Sequence, residues 1–140
     1  MDTHGELTEA FVERDDIAVM FKRVRDFPAG IRQGWADLEE AIGSLRGRKF
    51  YGAVDRAAGE YWVCVEIREG DDPEELGLEV GSLPGGRYLR ARLQGEPPGV
   101  YDLIAPTFDR LAHGATPDPK RPSIEFYRRR DSIDLLIPVT

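Results

Sequence analysis

Hydrophobic positions along this chain recur first with the period of a strand, then with that of a helix, then with that of a strand again. Residues 17–24 are rich in Ile, Val, Met and Phe and predict a strand. Phe27-Pro28-Ala29-Gly30 supplies turn chemistry. Ile31, Trp35, Leu38, Ile42 and Leu45 then fall on one face of a helix of about four turns. Gly47, flanked by Arg46 and Arg48, stands where that helix is expected to stop. Residues 49–54 and 60–67 predict two strands joined by a turn at 55–59.

The pattern then runs through the same order a second time. After an acidic loop at 71–75, residues 78–83 predict a short strand and Pro84-Gly85-Gly86 breaks the chain. Leu89, Ala91 and Leu93 alternate with Tyr88, Arg90 and Arg92, as in a half-buried strand. Pro97-Pro98-Gly99 introduces a second helix with the stripe Val100, Leu103, Ile104, Phe108 and Leu111; Pro106 should kink it or delay its regular part. Strands follow at 123–128 and 133–139. The expected fold class is therefore α+β: two pseudo-twofold strand–helix–strand–strand units, with an antiparallel sheet, two helices and a central ligand groove. Residues 1–16, acidic and weakly patterned, are read as an N-terminal extension or edge strand, with 7–12 as an extension of the first strand. Residues 17–140 are read as the small-molecule-binding domain.

Composition narrows the partners. The 140 residues suffice for one domain, and a net charge of -7 argues against a nucleic-acid surface or an anionic membrane while favouring cationic ligands. Cys64 is the only cysteine, and with His4 and His113 it makes no metal-ligand spacing, so neither metal nor cofactor is expected. The N-terminus lacks the features of a signal peptide, and a reducing cytoplasm is the expected compartment. No Ser/His/Asp set and no glycine-rich phosphate loop is present.

The last hairpin carries the most specific chemistry. In Pro122-Ser123-Ile124-Glu125-Phe126-Tyr127, alternation puts Glu125 and Tyr127 on one face and Ile124 and Phe126 on the other. A tight turn at Arg129-Arg130 would set Glu125 opposite Asp134. Two carboxylates facing across a ladder are unfavourable unless a cation or a proton lies between them. Arg128-Arg129-Arg130 itself reads as a solvated hairpin tip.

This hairpin, with Asp134-Leu135-Leu136-Ile137-Pro138-Val139, resembles the end of the GyrI-like, or bacterial transcription-activator effector-binding, domain. Gly86-Arg87-Tyr88, with Gly95 before the Pro-Pro-Gly helix start, matches that family's central pattern. The resemblance spans roughly residues 17–139. It implies an aromatic-lined pocket in which a buried glutamate at the Glu125 position engages lipophilic cations. Leu136 stands where the family often has Tyr, which implies a greasier pocket short of one hydroxyl. The chain looks like a stand-alone version without a DNA-binding domain. Such versions are implied to sequester toxins, to inhibit gyrase by contact, or to hydrolyse cyclopropane-bearing DNA alkylators.

The expected function is binding of small lipophilic, aromatic compounds, cationic or neutral, above an acidic floor, for sequestration or sensing, by a monomer or homodimer. The candidate ligand contacts are Glu125, Tyr127, Trp62, Tyr88, Tyr51, Tyr101, Trp35 and Asp134. Trp62 earns its place because its strand face, with Glu60, Cys64 and Glu66, does not read as a core face. The alternatives are a small hydrolase with Glu125 as catalytic acid or base, and a gyrase-contacting inhibitor.

Overall fold

The computed structural model describes residues 9–140. The elements are β1 (Ala10–Arg14), β2 (Ile17–Val24), α1 (Ile31–Ile42), β3 (Phe50–Asp55), β4 (Glu60–Glu66), β5 (Glu79–Leu83), β6 (Gly86–Gln94), α2 (Ile104–His113), β7 (Ser123–Arg129) and β8 (Ser132–Pro138). All eight strands belong to one antiparallel sheet, in the order β1-β6-β8-β7-β3-β4-β2-β5. The fold is α+β, as the alternation of periods predicts.

That strand order reads the same from either end. The unit β2-α1-β3-β4 lies in space as first, third, second strand, and so does β6-α2-β7-β8; the two units meet at the β3–β7 pair. The edge strands are exchanged between units. β1 precedes β2 in the chain but pairs with β6, and β5 precedes β6 but pairs with β2. Residues 10–14 are thus an edge strand and do not prolong β2. Asp15-Asp16 separates the two strands, and the Asp16 carboxylate accepts the Gly85 N–H at 2.6 Å. Residues 7 and 8 lie outside the described residues.

Helix α1 ends earlier than its apolar stripe suggests. Gly43 takes φ 77°, a left-handed conformation that glycine adopts without steric cost, and its N–H returns to the Glu39 carbonyl. Leu45 is left exposed beyond that stop, and Gly47 lies in the loop that follows. Pro106 behaves as expected: the second helix opens as a 3-10 turn over Gly99–Leu103 and becomes α-helical at Ile104.

Both faces of the sheet are buried. Leu38 of α1 packs with Met20, Tyr61, Val63 and Val65 of the sheet. Phe108 and Leu111 of α2 pack with Leu89, Ala91, Leu93, Ile133 and Leu135 of the sheet. The opposite face holds a third cluster that joins Val12 of β1 to Leu83 of β5, strands at the two edges of the sheet, so the sheet curls around it as a half-barrel. Burying each large side chain stabilises by about 1.5–3 kcal/mol. Leu38, on the buried face of α1, is expected to cost about 2–5 kcal/mol when replaced by Ala, read by chemical denaturation. None of the helices among the described residues is long and apolar enough to cross a membrane.

Candidate functional site

Strand β3 meets β7 at the centre of the sheet, and the two helices leave that seam open. A cavity of about 960 Å³ lies over it. Trp35 and Ile31 of α1 form one wall, Ile104 and Phe108 of α2 the other, and Phe50, Tyr61, Glu125 and Tyr127 rise from the strands. The Trp35 ring meets Tyr127 edge-on at 5.3 Å and Phe50 edge-on at 6.1 Å, within the range of favourable aromatic pairs. Tyr101, 46% exposed, stands at the rim.

Glu125 is buried at 6% exposure because its partner across the β3–β7 ladder is Gly52. A Cβ on Gly52 would stand 2.0 Å from the Tyr61 hydroxyl and 2.6 Å from Glu125 Oε1, so the bare backbone makes the space that these groups occupy. Tyr61 donates to Glu125 Oε1 at 2.6 Å and Tyr127 donates to the same oxygen at 2.5 Å. Oε2 accepts no hydrogen bond from the described residues and is not sealed from solvent, so it is the oxygen presented to the cavity. Burial raises the carboxyl pKa above the ordinary glutamate range, against the two tyrosine hydrogen bonds that lower it. Burial, and after it the same carboxylate, push both tyrosine hydroxyls well above their usual range, so both remain donors. The arrangement is an acid of adjustable charge in an aromatic enclosure. A cation would favour its ionised form, and burial without one makes it hold a proton to higher pH than an exposed glutamate does.

Of the candidates named from sequence, Glu125, Tyr127, Trp35 and Tyr101 line this cavity, and four do not. Asp134 lies on the other face of the sheet. Irregular pairing between Tyr127 and Arg129 shifts the hairpin, so that Glu125 faces Leu135 and Phe126 faces Asp134. A shift of one residue moves a side chain to the opposite face. Asp134 is instead paired with Arg92 at 2.7 Å.

Trp62 also points away from the cavity. It stacks on Phe21 at 3.9 Å and donates to Glu60, whose charge is met by Arg23 at 2.8 Å. With its carboxylate neutralised in this way, a face bearing Glu60 and Cys64 packs inside the curl. Tyr51 stacks on Phe126 at 4.7 Å within the same inner cluster. Tyr88 is fully buried there and donates to the Pro84 carbonyl at 2.5 Å. Leu136 belongs to this inner cluster too, opposite Ile124, so the hydroxyl it lacks would not have entered the cavity over Glu125.

Sequence reasoning missed Tyr61 and Gly52. The signal for Tyr61 was its alternation with Trp62, which puts it in step with Val63 and Val65 on the face the helices cover. Gly52 had no local signal, because its role depends on the register of β3 against β7.

No family model matches the chain, and no curated protein matches it. Solved structures do. An integron cassette protein, VCH_CASS2, from the mobile metagenome of Vibrio cholerae is similar at a TM-score of 0.76 and 18% identity, over 94% of this chain and 95% of that one. SAV2435, solved bound to tetraphenylphosphonium, is similar at a TM-score of 0.69 and 15% identity, over 95% of this chain and 94% of that one. The EcmrR C-terminal domain is similar at a TM-score of 0.63 and 13% identity, over 96% of this chain and 98% of that one. At these identities the likeness is one of fold along almost the whole chain.

Proposed function

We propose that this chain is a GyrI-like binding protein for small lipophilic aromatic compounds, cations above all, held in the cavity between the helices for sensing or sequestration. Residues 17–140 form the binding unit, with Glu125 as charge partner, Tyr61 and Tyr127 holding it, and Trp35 and Tyr101 as ring contacts. The observation that carries this reading is Glu125: one oxygen is held by two tyrosines while the other opens into an aromatic enclosure. The ligand in SAV2435, a lipophilic cation, is of the class that such a site would favour.

The two tryptophans make a direct test. Trp35 lines the cavity and Trp62 does not, so a Trp62→Phe variant reports on the cavity alone. Titration with tetraphenylphosphonium is expected to change Trp35 emission saturably. Asp134→Asn, on the opposite face, should bind within about twofold of the parent. An unchanged Trp35 signal, or binding that depends on Asp134 and not on Glu125, would refute the site.

The raised pKa of Glu125 favours a second reading, as a general acid in hydrolysis of strained alkylators. Incubation with a cyclopropane-bearing alkylator, followed by mass spectrometry, decides it; product formation that survives Glu125→Gln would exclude that role.

A further inference from the structure

The lining of the cavity has the opposite net sign from the rest of the protein. Of the chain's 19 Lys and Arg residues, six arginines line it: Arg32, Arg48, Arg56, Arg128, Arg129 and Arg130. Of the 26 Asp and Glu residues only three do, namely Glu39, Asp109 and Glu125. Two of the arginines are engaged, Arg48 by Asp71 at 2.7 Å and Arg128 by Ser132 at 3.1 Å with Asp134 at 3.8 Å. Arg32, Arg56, Arg129 and Arg130 have no carboxylate within 4.0 Å among the described residues. Glu39 and Asp109 share the lining and pair with none of them. A hairpin tip that reads in sequence as solvated therefore lines an apolar cavity with two guanidinium groups that no described carboxylate neutralises.

The geometry of this tip sets a length. Arg129 lies four positions beyond Glu125 on β7, at most about 13 Å along the strand, since the pairing is irregular between Tyr127 and Arg129. That is near the long dimension of a tricyclic aromatic system. A purely cationic ligand would meet Glu125 favourably and the arginines unfavourably. Guanidinium groups pair with carboxylate, sulfonate or phosphate through planar forks of N–H donors, and a cleft with low-dielectric walls concentrates their field.

We infer that the favoured ligand is zwitterionic: a flat aromatic body whose cationic part meets Glu125 and whose anionic group is held at the mouth by Arg129 and Arg130. This rests on the binding reading above and specifies its ligand class. The acidic floor and basic mouth then select together, and a lipophilic cation without an anionic group uses only half of the site.

Rhodamine B, which carries a free carboxylate on the phenyl group attached to its cationic xanthylium ring, and its ethyl ester, which lacks that anion, separate the two contributions by fluorescence anisotropy. The wild-type protein at low salt is expected to bind the acid about fivefold more tightly than the ester, the scale of one or two partly exposed ion pairs. The preference should vanish in Arg129→Ala/Arg130→Ala, with ester affinity held or improved, and should shrink at high salt. Glu125→Gln should weaken both dyes together. An ester bound as tightly as the acid, or an acid preference that survives loss of both arginines, overturns the zwitterion inference and leaves the cavity's role standing. Failure of both dyes to bind overturns the inference and the binding reading with it.

Discussion

Replacing Glu125 with Gln is expected to weaken binding of tetraphenylphosphonium by about ten- to a hundredfold, as loss of a desolvated charge partner does, while leaving the fold at least as stable at neutral pH. The two effects point in opposite directions for one reason. The carboxyl is held with its pKa above the ordinary glutamate range, chiefly by burial. In the folded state it therefore keeps its proton to higher pH than in the unfolded chain. The stability this contributes is fully present below the unfolded value of 4.5 and is lost as pH rises through the raised folded value. Above that window the wild-type protein carries an ionised buried carboxylate, and the Gln variant does not. Gln keeps an oxygen that can accept from Tyr61 and Tyr127. Thermal melts should show the variant equal to or above wild type at neutral pH, with the gap closing on acidification. A variant that binds as wild type does, or that unfolds at neutral pH, would mean that Glu125 is a structural acid.

Gly52→Ala is expected to lose both properties at once. The added methyl would fall inside contact distance of the Tyr61 ring and hydroxyl and of Glu125 Oε1. Tyr61 is 2% exposed and Glu125 is 6% exposed, and both line the cavity, so the clash is relieved only by moving the groups that build the site. Overpacking of this kind costs about 1–3 kcal/mol, partly offset by the lower chain entropy of Ala in a strand. Chemical denaturation should therefore show a loss of about 1–2 kcal/mol. Binding should fall about tenfold or more, because displacing Tyr61 misplaces the carboxylate it holds. Wild-type affinity in a well-folded Gly52→Ala protein would show that the Gly52–Tyr61–Glu125 contact does not shape the site.

What was legible in the sequence was local. The period of the apolar residues locates both helices and the strands, and alternation in β7 puts Glu125 beside Tyr127. The helix stop at Gly43 was hidden by Leu45, which continues the apolar stripe into a loop and lies exposed. The site depended on register and on which faces are buried, and neither is a local property. Irregular pairing past Tyr127 sent Asp134 to the far face. Trp62 was expected at the cavity because a large ring on a polar-looking face suggests a groove, and Tyr51 and Tyr88 lie in the same inner cluster. That face is the inside of the curl, where Arg23 and Arg25 answer Glu60 and the rings fill the core. The arginine tip was read from its own composition, and only the fold shows that the cavity runs up to it.

The measurement that bears most directly on Glu125 as the cation's partner is proton release on binding. Tetraphenylphosphonium carries a charge that does not titrate, so any proton exchanged comes from the protein. Calorimetric titrations in buffers of different ionisation enthalpy, stepped upward in pH from about 4.5, should show wild-type protein releasing close to one proton per ligand within the window where Glu125 is protonated. That release should fade at higher pH and be absent in Glu125→Gln. Heats that do not depend on the buffer at any pH, with equal affinity in wild type and Glu125→Gln, would contradict it.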